Sequence, residues 1–256
     1  IACSIQALTE DIIFNIMRYA QRISKSKNLV YMGGCALNCK ANSTISHLWD
    51  DVWIMPSPGD SGNALGAALA QRNEWVEWKH PFLGYNIDRP YPVKEIVYEL
   101  SKNKICGVAN GRAEFGPRAL GHRSLLADPR GSAIKDQVNT IKKRQKFRPF
   151  APAILEEHVH DYFDMPKGIE ISPYMQFTAP CKKPHLFPAI VHKDGTSRVQ
   201  TVGKDDSPGF RALLEEWYRV TGCPMLLNTS LNIRGKPMVN DEKDAEAWEK
   251  EYRVKV

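Results

Sequence analysis

The sequence predicts an α/β (α+β) protein, on three observations. Helically spaced apolar residues alternate with short continuous apolar runs, glycine-rich turns follow those runs directly, and the same alternation resumes beyond a proline-rich break near residue 80. With 256 residues, 43% of them hydrophobic, the chain is long enough for one large domain or two smaller ones with a sizeable core. A charged fraction of 25% without any low-complexity tract argues against disorder.

Ile5, Leu8, Ile12, Ile16, Met17, Ala20 and Ile23 recur at helical spacing, so residues 5–24 are expected to be an amphipathic helix packed into the core. NLVYMGG reads as a short strand ending in glycines, CALNCKANSTISHL as helix, VWIMPSPGDSG as a strand running into a loop, and NALGAALAQRNEW as a small-residue helix. This order suggests a doubly wound or ribonuclease-H-like layer arrangement. HPFLGYNIDRPYP has three prolines and no period, which marks a linker. The boundaries are residues 1–79, a linker over 80–94, and residues 95–256.

In the second part VKEIVYELSKN is helix, KICGVAN strand, and SAIKDQVNTIKKRQ a helix with Ile134, Val138 and Ile141 inward. PAIVHKDGTSRVQTV alternates about Asp194-Gly195 as a hairpin would. SPGFRALLEEWYRVTG is an amphipathic helix stopped by glycine, PMLLN a buried strand, and DEKDAEAWEKEY a charged helix.

No apolar run approaches the roughly 18–20 residues of a membrane helix. The opening IACSIQALTED lacks the basic and apolar regions of a secretory signal. The six cysteines form no CxxC pair, and packing is the expected role of Cys35 and Cys39. Together these features predict a cytoplasmic protein with reduced thiols.

Net charge is +6, and it is concentrated: residues 104–150 hold eleven Lys and Arg against three Asp and Glu. Such a segment calls for an anionic partner, either phosphate, nucleotide or nucleic acid. In open α/β sheets ligands bind where strands give way to loops. Three loops there carry the charge: NGRAEFGPRALGHRS with Arg112, Arg118 and Arg123; KKRQKFRPFAP with Lys142, Lys143, Arg144, Lys146 and Arg148; and NTSLNIRGKP with Arg234, Lys236 and the neutral groups Asn228, Ser230 and Asn232. Arginine forks bind phosphate oxygens in pairs, and glycines let backbone N–H groups approach an anion. Neither a Walker motif nor the dinucleotide fingerprint is present.

NGRAEFGPRALGHRSLLADPR, KFRPFAPAIL and NTSLNIRGKPMV resemble the C-terminal domain of the carbamoyltransferase family of the nodulation-protein and tobramycin O-carbamoyltransferase type, over about residues 95–240. VYMGGCALNCKAN and PSPGDSGNALGAAL resemble the second half of that family's actin-like, threonylcarbamoyl-transferase-type domain. The resemblance implies a YrdC-like second domain that makes carbamoyl adenylate from ATP and carbamoyl phosphate. It also implies transfer of the carbamoyl group to a hydroxyl of a small acceptor, such as a sugar, an antibiotic or a nodulation-factor-like compound. On it, Arg118, Lys146 and Arg148 are the catalytic candidates, with Lys146-Phe147-Arg148 and Ser230-Leu231-Asn232 as a K-x-R and S-x-N pair. Arg112, Arg123, Lys142, Lys143, Asn228, Ser230, Asn232, Arg234, Gly33 and Gly34 are the cofactor-binding candidates. Asp60 is the candidate ligand of a divalent metal (Fe2+, Mg2+ or Mn2+). The HxxxH ligand pair of the family is absent; His158-Val159-His160 has another spacing.

Each residue has a competing structural role: an ion pair with Glu114 or Asp128 for Arg112 and Arg123, an N-cap for Asp60, tight turns for the glycines, and an even choice for His122. Two further functions stay open from sequence. One is threonylcarbamoyl-adenylate synthesis. The other is a basic nucleic-acid-binding module, against which stands the scarcity of aromatics beyond Phe115, Phe147 and Phe150 in the basic loops. Membrane and nucleic acid are not the expected partners; a second copy in a homodimer is.

Overall fold

A computed structural model describes residues 1–256. It contains eight α-helices and ten strands in one mixed α/β arrangement.

Residues 1–79 begin with α1 (Ala2–Ile23), followed by β1 (Asn28–Val30), α2 (Cys39–Ile45), β2 (Asp51–Trp53) and α3 (Asn63–Arg72). β1 and β2 pair in parallel as a two-stranded sheet. The helix expected over 35–48 is broken into a 3-10 turn, α2 and a second 3-10 turn. Asn38 accounts for the first break, because its side chain accepts from the Ala41 N–H and caps α2.

α1 departs from its expected place in the core. It buries Ile13 and Met17, on the edge of its apolar stripe, while Ile5, Leu8, Ile12, Ile16 and Ile23 are all at least half exposed. α3 buries nothing. A nine-residue cluster joins Ile13, Met17, Tyr31, Ala36, Ala41, Ile45 and Ile54 of this region to Ile169 and Phe177 of the second.

The linker is also more regular than its prolines predict. β3 (Phe82–Ile87) pairs antiparallel with β5 (Gly111–Glu114), with an irregular register between Phe82 and Asn86. The prolines fall outside the strand, where no ladder hydrogen bond is lost.

The remaining elements are α4 (Val93–Asn103), β4 (Ile105–Ala109), β6 (Arg123–Ala127), α5 (Ile134–Ile141), β7 (Ala151–Leu155), α6 (Val159–Tyr162), β8 (Phe177–Pro180), β9 (Thr196–Val202), α7 (Pro208–Thr221), β10 (Met225–Ser230) and α8 (Glu242–Tyr252). Six strands form one sheet in the order β4-β6-β10-β7-β9-β8. All its pairs are antiparallel except β7–β9. A core of 38 residues fills this part, with Phe210, Leu213, Leu214 and Trp217 of α7 fully buried. The expected hairpin about Asp194-Gly195 keeps its turn, with the Gly195 N–H donating to His192 O, but β9 takes β8 as its partner instead of residues 188–192.

Candidate anion site and apolar cleft

The arginine-rich segment is not one flexible loop. β5 and β6 occupy its ends, and residues 115–122 form a tight connection between them. Glu114 holds that connection: its buried Oε1 accepts the backbone N–H groups of Leu120, His122 and Arg123 at 2.7, 2.8 and 3.1 Å. Gly121 takes φ +110°, and a Cβ there would meet the Phe210 ring at 2.3 Å, so only glycine fits.

Arg123 is fully buried beneath this turn. Its guanidinium donates to the carbonyls of Tyr85, Asn110, Gly111, His122 and Asn240. All its donors are engaged, so it is a structural clamp instead of a phosphate ligand, and carbonyls take the place of the carboxylate considered above. Arg112 lies on exposed β5, donates to Gly84 O across the β3 pair, and does not reach the basic cavity. His122 is likewise committed. Its Nδ1 lies 2.7 Å from Arg112 O, which only accepts, so Nδ1 carries the proton and Nε2 accepts from the Ser207 hydroxyl at 2.8 Å. Its ring stacks on Phe82 at 3.8 Å.

A polar cavity of about 660 Å³ opens between the α5–β7 loop and the loop after β10. Lys142, Lys143, Arg144, Gln145, Arg148, Ser230, Asn232, Arg234 and Gly235 line it, without one acidic or apolar side chain. Lys142 Nζ donates to Asn232 Oδ1 at 2.9 Å, to Ser230 Oγ at 3.3 Å and to Ser230 O. The S-x-N pair therefore meets Lys142, and the K-x-R beside it is Lys142-Lys143-Arg144. Lys146 points away, toward Asp136 at 3.6 Å, and is largely exposed. Its position at the tip of a turn accounts for this: Arg148 N–H donates to Gln145 O, so residues 146 and 147 project outward.

One buried residue shapes the whole loop. Asn139, on α5, donates to the carbonyls of Lys146 and Arg148 at 3.2 and 3.1 Å and accepts from Arg144 Nε at 2.6 Å. The sequence signal for it was a polar residue beside the inward-facing Val138.

Burial, and then the neighbouring Arg144, push the Lys142 ammonium down to about 7. Burial, then Arg148 and Arg198, push Arg144 down to about 10, which leaves it charged at neutral pH. Arg118 is pushed down to about 10 by burial and by Arg198. Arg198, on β9, is the residue that sequence reading missed. Its Nε is buried without a partner, and no carboxylate lies within 4.0 Å of Arg118, Arg148 or Arg198.

The sheet explains how Arg198 joins the motif residues. Asn228 faces Ala151, and Ala153 faces Gln200, so β7 offers only alanines between two longer side chains. Asn228 Nδ2 reaches across to Gln200 Oε1 at 2.7 Å and to Ala119 O at 3.0 Å. Arg198 is two residues before Gln200 and shares its face of the sheet. Arg118 directly precedes Ala119. Asn228 is thus in the floor of the site with both amide hydrogens engaged, and its Oδ1 is buried without a partner.

Gly33 and Asp60 lie elsewhere. They line an apolar cleft of about 1040 Å³ together with Met32, Trp53, Met55 and Trp78. Gly33 has φ +101°, and its N–H donates to Pro58 O at 2.7 Å; Gly34 packs against Gly59. Asp60 is exposed, in a 3-10 turn ahead of α3, and caps no helix. Nowhere do three His, Cys, Asp or Glu side chains come together to hold a metal ion. Asp60 alone does not fit a metal centre, and His158 and His160 make surface pairs with Asp161 and Glu170. Cys35 is exposed instead of packed. No helix is long and apolar enough to cross a membrane.

Residues 97–256 match the family model for the carbamoyltransferase C-terminus, and residues 1–69 match that for the carbamoyltransferase N-terminus. The chain belongs to the carbamoyltransferase family. It is 36% identical to nodulation protein NolNO of Sinorhizobium fredii, over 96% of this chain and 41% of that one. It is 38% identical to nodulation protein U of Rhizobium tropici, over 87% of this chain and 41% of that one. The chain thus spans half or less of the length of these relatives. Among solved structures, HypF in its phosphate- and nucleotide-bound form is similar at a TM-score of 0.45 and 19% identity, covering 66% of this chain and 21% of that one. That likeness is too weak to bear on fold or function.

Proposed function

We propose that this chain carries the adenylate-forming part of an ATP-dependent O-carbamoyltransferase. The observation that carries the reading is the run of cations Lys142, Arg144, Arg148, Arg198 and Arg118, in a cavity and on a sheet face that provide no carboxylate to neutralise them. Crowded unpaired cations are unfavourable unless an anion joins them, and a triphosphate beside carbamoyl phosphate supplies several.

In this reading water hydrolyses carbamoyl phosphate to carbamate and inorganic phosphate, and a carbamate oxygen attacks the α-phosphorus of ATP. The bond to pyrophosphate breaks and carbamoyl adenylate forms. Lys142, Arg144, Arg148 and Arg234 hold the phosphate oxygens on which charge develops, so catalysis is mainly positioning and electrostatics. Arg118 and Arg198 face the carbamoyl end. The unpartnered Asn228 Oδ1 suits a carbamoyl NH2, which has only hydrogens to donate.

Residues 95–256 are the YrdC-like domain in this reading, and residues 1–79 are half of an actin-like transfer domain. The cleft at Gly33, Asp60, Trp53 and Trp78 would then take the hydroxyl acceptor, whose oxygen attacks the carbamoyl carbon as AMP leaves. A sugar, antibiotic or nodulation-factor-like alcohol fits that role. Asp60 enters no step. The free cysteines suit a reducing cytoplasm.

The test is ATP–pyrophosphate exchange. The reading requires exchange that depends on carbamoyl phosphate. Exchange supported by bicarbonate plus threonine instead would replace it with threonylcarbamoyl-adenylate synthesis, and no exchange with either would remove the adenylate chemistry.

A further inference from the structure

The turn Gln145–Arg148 has one feature that phosphate binding does not use. Its two ends, Gln145 and Arg148, line the basic cavity, and its tip carries Phe147, which is 77% exposed. The tip is not held there by weak packing. Asn139, fully buried, ties down the carbonyls on both sides of Phe147 at 3.2 and 3.1 Å, and the Arg148 N–H closes the turn on Gln145 O. The next aromatic, Phe150, is 3% exposed and stacks under Arg144 at 4.2 Å. The loop therefore buries one phenylalanine and leaves the other exposed, on the outward tip of a turn whose two ends line a cavity with no apolar wall. A lone exposed aromatic is ordinary on a surface; one on a turn fixed from behind, beside a polyphosphate-sized hollow, is placed for a ligand that has both anionic oxygens and a flat face.

We propose that Phe147 is the stacking platform for the purine base of the nucleotide whose phosphates occupy the Lys142–Arg148–Arg234 cavity. This rests on the nucleotide reading above. A π-face one residue along the chain from the lining Arg148 supplies what the cavity lacks, since the lining offers charge for phosphates and no surface for a base. Base–aromatic stacking tolerates any base, so Phe147 contributes to affinity and to placing the α-phosphorus, and it does not select adenine.

The experiment is titration calorimetry with ATP and, separately, with inorganic tripolyphosphate, on the whole chain and on Phe147→Ala, Phe147→Trp and Arg148→Ala. Phe147→Ala is expected to weaken ATP about tenfold or more and to leave tripolyphosphate unchanged. Phe147→Trp should keep ATP within about twofold of the unaltered chain. Arg148→Ala should weaken both ligands. ATP affinity unchanged in Phe147→Ala, or equal losses for ATP and tripolyphosphate, overturns the stacking role while the anion site stands. If the unaltered chain binds neither ligand, the nucleotide site falls and the stacking role falls with it. Because Phe147 is exposed and tripolyphosphate reports the cavity directly, misfolding cannot pass for loss of stacking.

Discussion

Residues 1–79 are richer in apolar side chains than residues 95–256, yet they bury fewer of them. The second region folds its own into a 38-residue core, and the first contributes seven to a nine-residue cluster that Ile169 and Phe177 of the second complete. Of the twenty large hydrophobic side chains left exposed, twelve lie in residues 1–76. The contrast extends to the sites. The second region builds a charged cavity on a six-stranded sheet, where buried Asn139, Glu114 and Arg123 fix the loops. The first frames an apolar cleft beside two three-residue strands and a helix that buries nothing. Rigid support and cation density go together, because holding like charges close requires a scaffold that cannot relax away from them.

The sharpest way to break this contrast is by truncating side chains. Phe210→Ala, in the centre of the larger core and against Gly121, should cost about 3–5 kcal/mol in denaturant unfolding. Ile12→Ala, on the exposed stripe of α1, should stay within about 0.5 kcal/mol. Comparable losses at both positions would mean that the α1 stripe is covered in solution.

The next largest effect is on chemistry. Arg148→Ala or Arg118→Ala should remove roughly 2–4 kcal/mol of transition-state stabilisation. Carbamoyl-phosphate-dependent ATP–pyrophosphate exchange should fall about a hundredfold with thermal unfolding unchanged. Arg112→Ala should leave exchange near its original rate, since that side chain only reaches Gly84 O. Full exchange in both Arg118 and Arg148 variants would take them out of the site.

Local opening sharpens the comparison further. Amide hydrogen exchange should be faster in α1, α3 and β1–β2 than in β6, β7 and β10, because few buried contacts hold the first set. Equal protection across the two regions would contradict the core assignment.

The smallest effect is a proton. Lys142 is held down to about 7, against an ordinary value near 10.5, so at pH 8 it is mostly neutral in the free chain. A phosphate beside it favours the charged form. Binding at pH 8 should therefore take up a proton, read as a dependence of calorimetric enthalpy on buffer ionisation. The same depression makes the unfolded chain bind more protons than the folded one between about pH 7 and 10. The contribution of Lys142 to stability consequently rises with pH across that window. Binding without proton uptake at pH 8, with Lys142→Met behaving identically, would show that Lys142 does not change its protonation when the anion binds.

Much of the second region was legible in its sequence. Helical spacing identifies α4, α5 and α7, and the short apolar runs mark β4 and β10, because one buried face imposes one period. The cation cluster was legible as well, since Arg and Gly interleave in few other settings. Periodicity could not say which side of α1 would find a partner, and the Ile stripe that looked like core lies exposed. β7 was hidden by its prolines, although Pro152 stands one residue before the pairing with β9 begins.

By itself, then, the sequence determined the α/β class, the family through its long motifs, and the concentration of cations in the second region, because these depend on local pattern and composition. Only the tertiary structure decided which cations are free to bind. Arg123 and Arg112 carry the same side chain as Arg118 and Arg148, yet carbonyls enclose Arg123, Gly84 O draws Arg112 away from the cavity, and no carbonyl or carboxylate engages the other two. Strand pairing brought Arg198, some fifty residues beyond Arg148, onto the face beneath Arg118, and Lys142, not Lys146, against Ser230 and Asn232. Charge is written in the residue, but whether it is satisfied depends on neighbours that are distant in the chain and meet only in the fold.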